Sequence, residues 1–330
     1  MGDHVHRFRL GLEDLASASF ACSPLQEVAL SLRMWTHPGV YVHQTAAFEQ
    51  LRPAFERLDG VDLLRSLVAT ANRYQPDFLT PRPTTPFPDL RSELETVRAF
   101  PPERLRDELE QTYLPHDPRL PPLLDAGLDD PARLLADIAD ALEEYWVHCL
   151  EPGWWPRARS VLHADIVHRS RILAERGAAA LFSDLDGRLL WSDGVLTIRR
   201  DWGGGDADIA VNGRGLVFTP TFFARGAITS ISEDRPPVIT YPVRGSATMA
   251  DPPVPGPRAL ERLIGAPKAR LLAMLDEPTS TTELARRLGV TPGAVSQHLA
   301  VLAETRLVTR ARHGRVVLYG LSPLGEQLVR

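Results

Sequence analysis

Along the first 182 residues the apolar positions recur every three or four residues, and from about residue 188 they alternate with polar ones. The first spacing is that of an amphipathic helix, the second that of a half-buried strand. A strand over 6–10 and a short helix over 12–18 open the chain. Ser23-Pro24 with Glu27 then gives a serine cap, a proline at the first position and an acid in the first turn of a helix running to about Trp35. Leu25, Val28, Ala29, Leu32 and Trp35 share one face of it. Helical spacing continues through 42–58 and 61–74, broken at Asp59-Gly60. Pro76, Pro81, Pro83, Pro86 and Pro88 follow, and their fixed φ and missing amide protons predict an extended connector. Helix is expected again over 88–114 with an interruption at Pro101-Pro102, and a proline-punctuated turn region over 120–128. A strong helix spans 131–150, with Leu134, Leu135, Ile138, Leu142, Tyr145 and Trp146 on its apolar side. After Glu151-Pro152-Gly153 one long helix is expected over 156–182.

Alternation then predicts strands over 188–191 and 195–200 around Ser192-Asp193-Gly194, and over 209–211 and 215–219 around Asn212-Gly213-Arg214. Two more lie at 227–231 and 238–243, so one small antiparallel sheet is expected across 188–244. Pro252, Pro253, Pro255 and Pro257 mark a semi-rigid linker over 247–257. The expected fold is therefore α+β and mostly α. A region 1–246, helical over 1–182, precedes the linker and a second domain at 258–330.

Within that second domain, residues 280–302 read as two short helices joined by a tight turn. Ser280-Thr281-Thr282-Glu283 has the form of a capping box, in which the serine oxygen takes a first-turn amide and the glutamate reaches back. Gly289 suits the left-handed exit of the first helix, and Thr291-Pro292 the cap and first position of the second. Val295, Leu299 and Leu302 form the buried stripe of the second helix, leaving Ser296 and Gln297 outward and His298 at the edge. Residues 307–311 and 316–319 alternate as strands about the basic tip Arg312-His313-Gly314-Arg315. A capped helix with a polar face, braced by a first helix and followed by a cationic hairpin, is the arrangement with which a winged helix-turn-helix reads double-stranded DNA. Thr291, Gly293, Ser296, Gln297 and His298 would face base edges or phosphates, and Arg310, Arg312, His313 and Arg315 the backbone.

Residues 259–330 resemble the winged-helix domain of ArsR-type bacterial transcriptional regulators, through TTELARRLGVTPGAVSQHLAVL, RLVTRARHGRVVLYGLSP and the closing LGEQL. The whole chain is similar to long-form members of that group, which carry a large additional N-terminal domain. The resemblance implies DNA binding, with repression more usual than activation. Many relatives sense metals through cysteines in the helix before the turn or through Asp and His on the last helix. Here TTELARRL has no cysteine and LGEQLVR no histidine, so no metal and no cofactor is expected.

At 330 residues the chain is long enough for two or three domains. Its net charge of −5 by itself argues against a nucleic-acid binder, but the charge is unevenly placed. Residues 258–330 hold eleven Arg or Lys against six Asp or Glu, a net of +5, which leaves −10 on the rest. That asymmetry is expected when only one domain meets DNA. Lys268 is the sole lysine, which reads as coding bias. No apolar run fits a signal peptide or a membrane span, and two distant cysteines, Cys22 and Cys149, fit a reducing cytoplasm, at the nucleoid for a DNA binder.

The N-terminal region shows no catalytic constellation, so an enzyme is not expected. His163 and His168 are five apart, about 140° around a helix, and cannot chelate one ion from one face. Asp184-Leu185-Asp186-Gly187 echoes a phosphatase motif but follows a helix, so a turn into the hairpin is expected. Gly203-Gly204-Gly205 lacks the strand and helix a phosphate cradle needs. Trp146, Trp154, Trp155 and Trp191, with Trp202, Phe222 and Phe223, are either packed core or the wall of an apolar pocket for an unknown effector. The expected protein is a homodimeric regulator, a repressor as the resemblance alone implies. The alternatives are an enzyme or a protein-interaction module with a winged-helix tail.

Overall fold

A computed structural model describes residues 4–69, 75–114, 117–200, 205–231, 235–249, 259–275, 278–313 and 316–329. Packing divides the chain into two units, Met1–Asp251 and Pro252–Arg330, described separately below.

The first unit opens with β1 (His4–Arg9), α1 (Leu12–Ala16) and β2 (Ser19–Phe20). Its helices are α2 (Pro24–Ser31), α3 (Arg33–Thr36), α4 (Val42–Phe55), α5 (Val61–Ser66), α6 (Leu90–Arg98), α7 (Pro102–Tyr113), α8 (Pro122–Gly127), α9 (Pro131–Tyr145) and α10 (Trp154–Leu185). The start signals act as the residue types require: Ser23 Oγ accepts from the Gln26 amide at 2.9 Å, and Asp89 and Asp130 cap α6 and α9 in the same way. Three details depart from the periodicity. The expected turn region at 120–128 contains α8, since Pro121 and Pro122 supply helix-compatible φ at its start. The helix expected to run to Leu150 changes to π geometry over Trp146–Leu150. The long helix is broken at Gly177 (φ 79°, ψ 176°), so α10 is two helical stretches in succession. These helices enclose one core, with Leu25, Leu64, Leu94, Leu109, Leu135 and Tyr145 fully buried.

The strands that follow are β3 (Leu189–Ser192), β4 (Val195–Arg200), β5 (Ala207–Ala210), β6 (Val217–Thr221), β7 (Ile228–Ser230) and β8 (Val238–Pro242). The α+β, mostly α class holds, but the strands do not form a single antiparallel sheet. They make two four-stranded mixed sheets, ordered β3-β4-β1-β5 and β2-β6-β8-β7. β1 lies between β4, antiparallel, and β5, parallel, which places Phe8 opposite both Leu196 and Ile209. In the second sheet β6 runs parallel to β8, with Thr219 opposite Thr240. Asp193 and Gly194 (φ 51° and 78°) close the expected β3–β4 hairpin. Asn212 and Gly213 adopt the same paired positive φ, yet the strands they join belong to different sheets. Arg214 holds that corner by donating to the carbonyls of Val211, Ala210 and Arg235. A second core, with Phe8, Leu196, Ile198, Phe218 and Tyr241, lies under the end of α10.

The chain remains in this unit beyond residue 246, where the linker was expected to begin. A 3-10 turn, Ser246–Met249, buries Met249 in the helical core, because a methionine there covers apolar surface. Residues 250–258, which hold the remaining prolines of that stretch, and Gly203-Gly204 and Trp202 lie outside the described residues.

Glu27 and Glu93 are among the acids buried in this unit. Glu27 accepts from the Phe222 amide at 3.3 Å and Glu93 from the Leu25 amide at 2.9 Å. Burial pushes Glu27 up to about 8 and Glu93 to about 7, against an ordinary value of 4.5. A raised folded value means that folding takes up a proton. The stability linked to Glu27 is therefore complete below pH 4.5 and is lost as the pH rises through about 8. Glu27→Gln, neutral throughout, is expected to flatten the pH dependence of the urea midpoint between pH 5 and 9 and to raise the midpoint at the alkaline end. Parallel pH profiles for the two proteins would show that Glu27 folds as a carboxylate.

Candidate nucleic-acid interface

The second unit comprises α11 (Ala259–Ile264), α12 (Ala266–Ala273), β9 (Thr279–Ser280), α13 (Thr281–Leu288), α14 (Pro292–Glu304), β10 (Val308–His313), β11 (Val316–Leu321) and α15 (Pro323–Val329). α13 and α14 are the two helices expected over 280–302. Ser280 Oγ accepts from the Glu283 amide at 3.3 Å, which is one half of the capping box. The other half is not made. The Glu283 carboxylate turns outward to Arg286 at 2.6 Å and Arg287 at 2.8 Å, because two guanidiniums one turn away offer stronger, charge-assisted donors. Those donors hold its carboxyl down at about 2. An exposed triplet of this kind adds little stability, but it leaves α13 one positive charge instead of two.

Gly289 takes the left-handed conformation (φ 66°, ψ 31°), and the Val290 amide reaches the Ala285 carbonyl at 3.1 Å, closing the helix end. Thr291 Oγ1 accepts from the Ala294 amide at 3.3 Å and Pro292 occupies the first helical position. Leu284 and Ala285 from α13 meet Val295, Leu299 and Leu302 from α14 in the core of the unit. On the far side of α14, Thr291, Gly293, Ser296 and Gln297 are exposed and His298 is half-buried. One continuous polar surface therefore runs along the N-terminal half of the helix.

β10 and β11 form the hairpin, with Arg310 opposite Tyr319 and Arg312 opposite Val317. Arg310 and Arg312 are exposed. His313 ends β10, but its side chain, with Gly314 and Arg315, lies outside the described residues. The short β9 was not legible in the sequence: only two residues long, it pairs Ser280 with Leu318 and Thr279 with Tyr319. It completes a three-stranded sheet ordered β10-β11-β9, which fixes the hairpin to Ser280, the cap of α13. Ser322 seats α15, accepting from the Gly325 amide at 3.0 Å and donating to the Arg306 carbonyl at 2.6 Å. Gly325 is required there, since a Cβ would lie 2.1 Å from the Leu307 carbonyl oxygen.

The four tryptophans named as pocket residues do not come together. Trp146 and Trp155 meet edge to face at 5.1 Å and line an open cleft of about 480 Å³. Trp154, one residue along the helix and so turned by about 100°, packs inward against Phe222 and Phe223. Trp191 packs at a tilt against Phe182 beside the second core, because β3 belongs to the sheet layer. His168 lies 3.5 Å from Asp184 while His163 rests on Phe87, so the two histidines have different surroundings. Asp186 accepts from the Arg188 and Ala227 amides at 2.9 and 2.7 Å, the work of a turn residue. Burial pushes the Cys22 and Cys149 thiols up to about 12 and about 11, far from nucleophilic reactivity. Among the described residues no His, Cys, Asp or Glu group is placed to hold a metal ion, and no helix is long and apolar enough to cross a membrane.

Residues 269–311 match the family of helix-turn-helix domains. Among solved structures the chain is similar to a ZitR mutant of Lactococcus lactis, at 25% identity over 19% of this chain and 47% of that one, with a TM-score of 0.19. It is also similar to RV1404 of Mycobacterium tuberculosis, at 29% identity over 22% of this chain and 54% of that one, with a TM-score of 0.21. The chain thus spans about half the length of each. No curated protein matches it. The C-terminal unit contains a helix-turn-helix domain.

Proposed function

We propose that the chain is a DNA-binding transcriptional regulator of the ArsR type, acting in the cytoplasm as a homodimeric repressor. The observation that carries this reading is the exposed polar surface Thr291–Gly293–Ser296–Gln297 on a helix whose other face is locked by Val295, Leu299 and Leu302. Ser296 and Gln297 meet base edges, and Gln297 offers the paired donor and acceptor that suit adenine. Arg310, Arg312 and Arg315 hold phosphates from the hairpin. A lone helix reads only a few base pairs, so two copies on a palindrome, with reading helices about 34 Å apart, provide useful affinity.

The test begins by selecting bound DNA from a random pool with the full protein. Gln297→Ala is expected to weaken the selected sequence by about 1–3 kcal/mol, roughly 5- to 150-fold, with non-specific DNA unchanged. Arg310→Ala with Arg312→Ala is expected to weaken both and to lower the slope of log affinity against log salt by about 0.9 per lost phosphate contact. Unchanged titrations for both variants would place the DNA elsewhere or remove it.

A further inference from the structure

The cleft beside Trp146 and Trp155 has the features of a binding site and is distinct from the helix-turn-helix. Its long wall is one face of α10, where Trp155, Arg159 and His163 succeed each other at four-residue spacing and so lie one above another. Each end of that stripe is aromatic. Trp155 meets Trp146 at 5.1 Å, and His163 lies against Phe87 at 4.5 Å. Arg159 stands between the two aromatic pairs. Arg91, at the start of α6, lines the same cleft.

Neither guanidinium forms an ion pair among the described residues, although carboxylates line the same cleft. There are three of them: Asp89 caps α6 at Ser92, Glu143 lies 3.6 Å from Arg98, and Glu151 is exposed. Burial and the neighbouring Arg159 depress His163 below its usual range, so at neutral pH it meets Phe87 as an uncharged ring. The apolar part of the cleft is also open to solvent, with Phe87 53% and Val147 44% exposed. Exposed apolar surface thus lies beside two guanidiniums that form no ion pair among the described residues.

The backbone supports the same conclusion. Trp146 and Val147 lie in the π-helical stretch, where the Glu151 amide bonds to the Trp146 carbonyl five residues back at 2.9 Å. Such segments are rare, less stable than α-helix, and frequent at functional sites, because the wider turn redirects side chains. Here it presents Val147 and the Trp146 ring to the cleft. At about 480 Å³ the space matches the sites that hold small organic ligands.

We propose that this cleft binds a small aromatic carboxylic acid, its ring between the Trp146–Trp155 pair and the Phe87 side and its carboxylate on Arg159, with Arg91 as the second cation. As an effector site of a regulator it rests on the DNA-binding reading; as a binding site it does not. The experiment is therefore done without DNA. The full chain is titrated with 1-naphthoate, with the neutral alcohol 1-naphthalenemethanol and with the cation 1-naphthylmethylammonium, read by calorimetry and by tryptophan fluorescence. The acid is expected to bind at least tenfold more tightly than either analogue. Arg159→Gln is expected to remove that preference while leaving the alcohol's affinity unchanged, and Trp155→Phe to remove most of the fluorescence change. Arg159 is exposed, so its variant is not expected to unfold the protein, and an unaltered thermal melt checks this. Equal binding of the three compounds, tighter binding of the cation, no binding below millimolar concentration, or an acid affinity unaffected by Arg159→Gln would each overturn the proposal. A repeat of the DNA titration with saturating 1-naphthoate then shows separately whether occupancy changes DNA affinity.

Discussion

Arg169→Met is expected to destabilise the first unit by about 3–5 kcal/mol, the cost of breaking a buried ion pair from one side. Arg169 and Asp165 are both almost wholly buried, one turn apart on α10, with Arg169 Nε 3.5 Å from Asp165 Oδ1. The Asp165 carboxylate also accepts from Tyr241 Oη at 2.9 Å and from the Arg244 amide at 3.2 Å. The same guanidinium donates to the carbonyl and carboxylate of Asp184 beyond the break at Gly177, and lies 5.6 Å from the Tyr241 ring centre. One side chain thus joins both stretches of α10 to the end of β8. Methionine would fill much of the volume but leave Asp165 buried with two neutral donors and no opposite charge. For a unit of this size the loss corresponds to a fall in melting temperature on the order of 10 °C. The urea midpoint should drop with an unchanged m-value, and Asp165→Asn added to Arg169→Met should recover part of the loss. A change under 1 kcal/mol, with no recovery in the double variant, would mean the pair contributes no more than a surface contact.

Leu299→Ala is expected to abolish DNA binding by unfolding the reader. Leu299 is fully buried at the centre of a small core shared by α12, α13, α14 and β10. Truncating a buried leucine costs about 2–5 kcal/mol, which is comparable with the whole stability of a small domain. Specific and non-specific binding should therefore fall together, with loss of amide-exchange protection over 266–329 and none in the first unit. That pattern differs from the one expected of Gln297→Ala, which under the proposed docking loses a base contact on an intact fold. A Leu299→Ala protein that kept its protection and its DNA affinity would show that the stripe does not hold the reading helix.

The helix-turn-helix was legible because its determinants are local. The caps at Ser280 and Thr291, the left-handed exit at Gly289 and the stripe Val295–Leu299–Leu302 each depend on residues within a few positions of one another. Even there, the choice of Glu283 between the cap amide and two arginines was a competition that spacing alone does not decide. In the first unit the helices followed from periodicity, but the strand partners did not. β1 pairs with β4 and β5 across some 190 residues, and nothing near His4–Arg9 encodes which edge it will fill.

By itself, then, the sequence determined most of the helices, the turns at Asp193-Gly194 and Gly289, the acidic and basic portions and the exposed polar face of α14. These are set by φ preferences, capping and side-chain period, which act over one or two helical turns. Only the tertiary structure decided that the strands form two mixed sheets, that Trp146 and Trp155 face a cleft while Trp154 and Trp191 do not, and that Arg169 links three segments. Those outcomes depend on which apolar surfaces bury one another, and burial is a property of the assembled chain, not of any stretch within it.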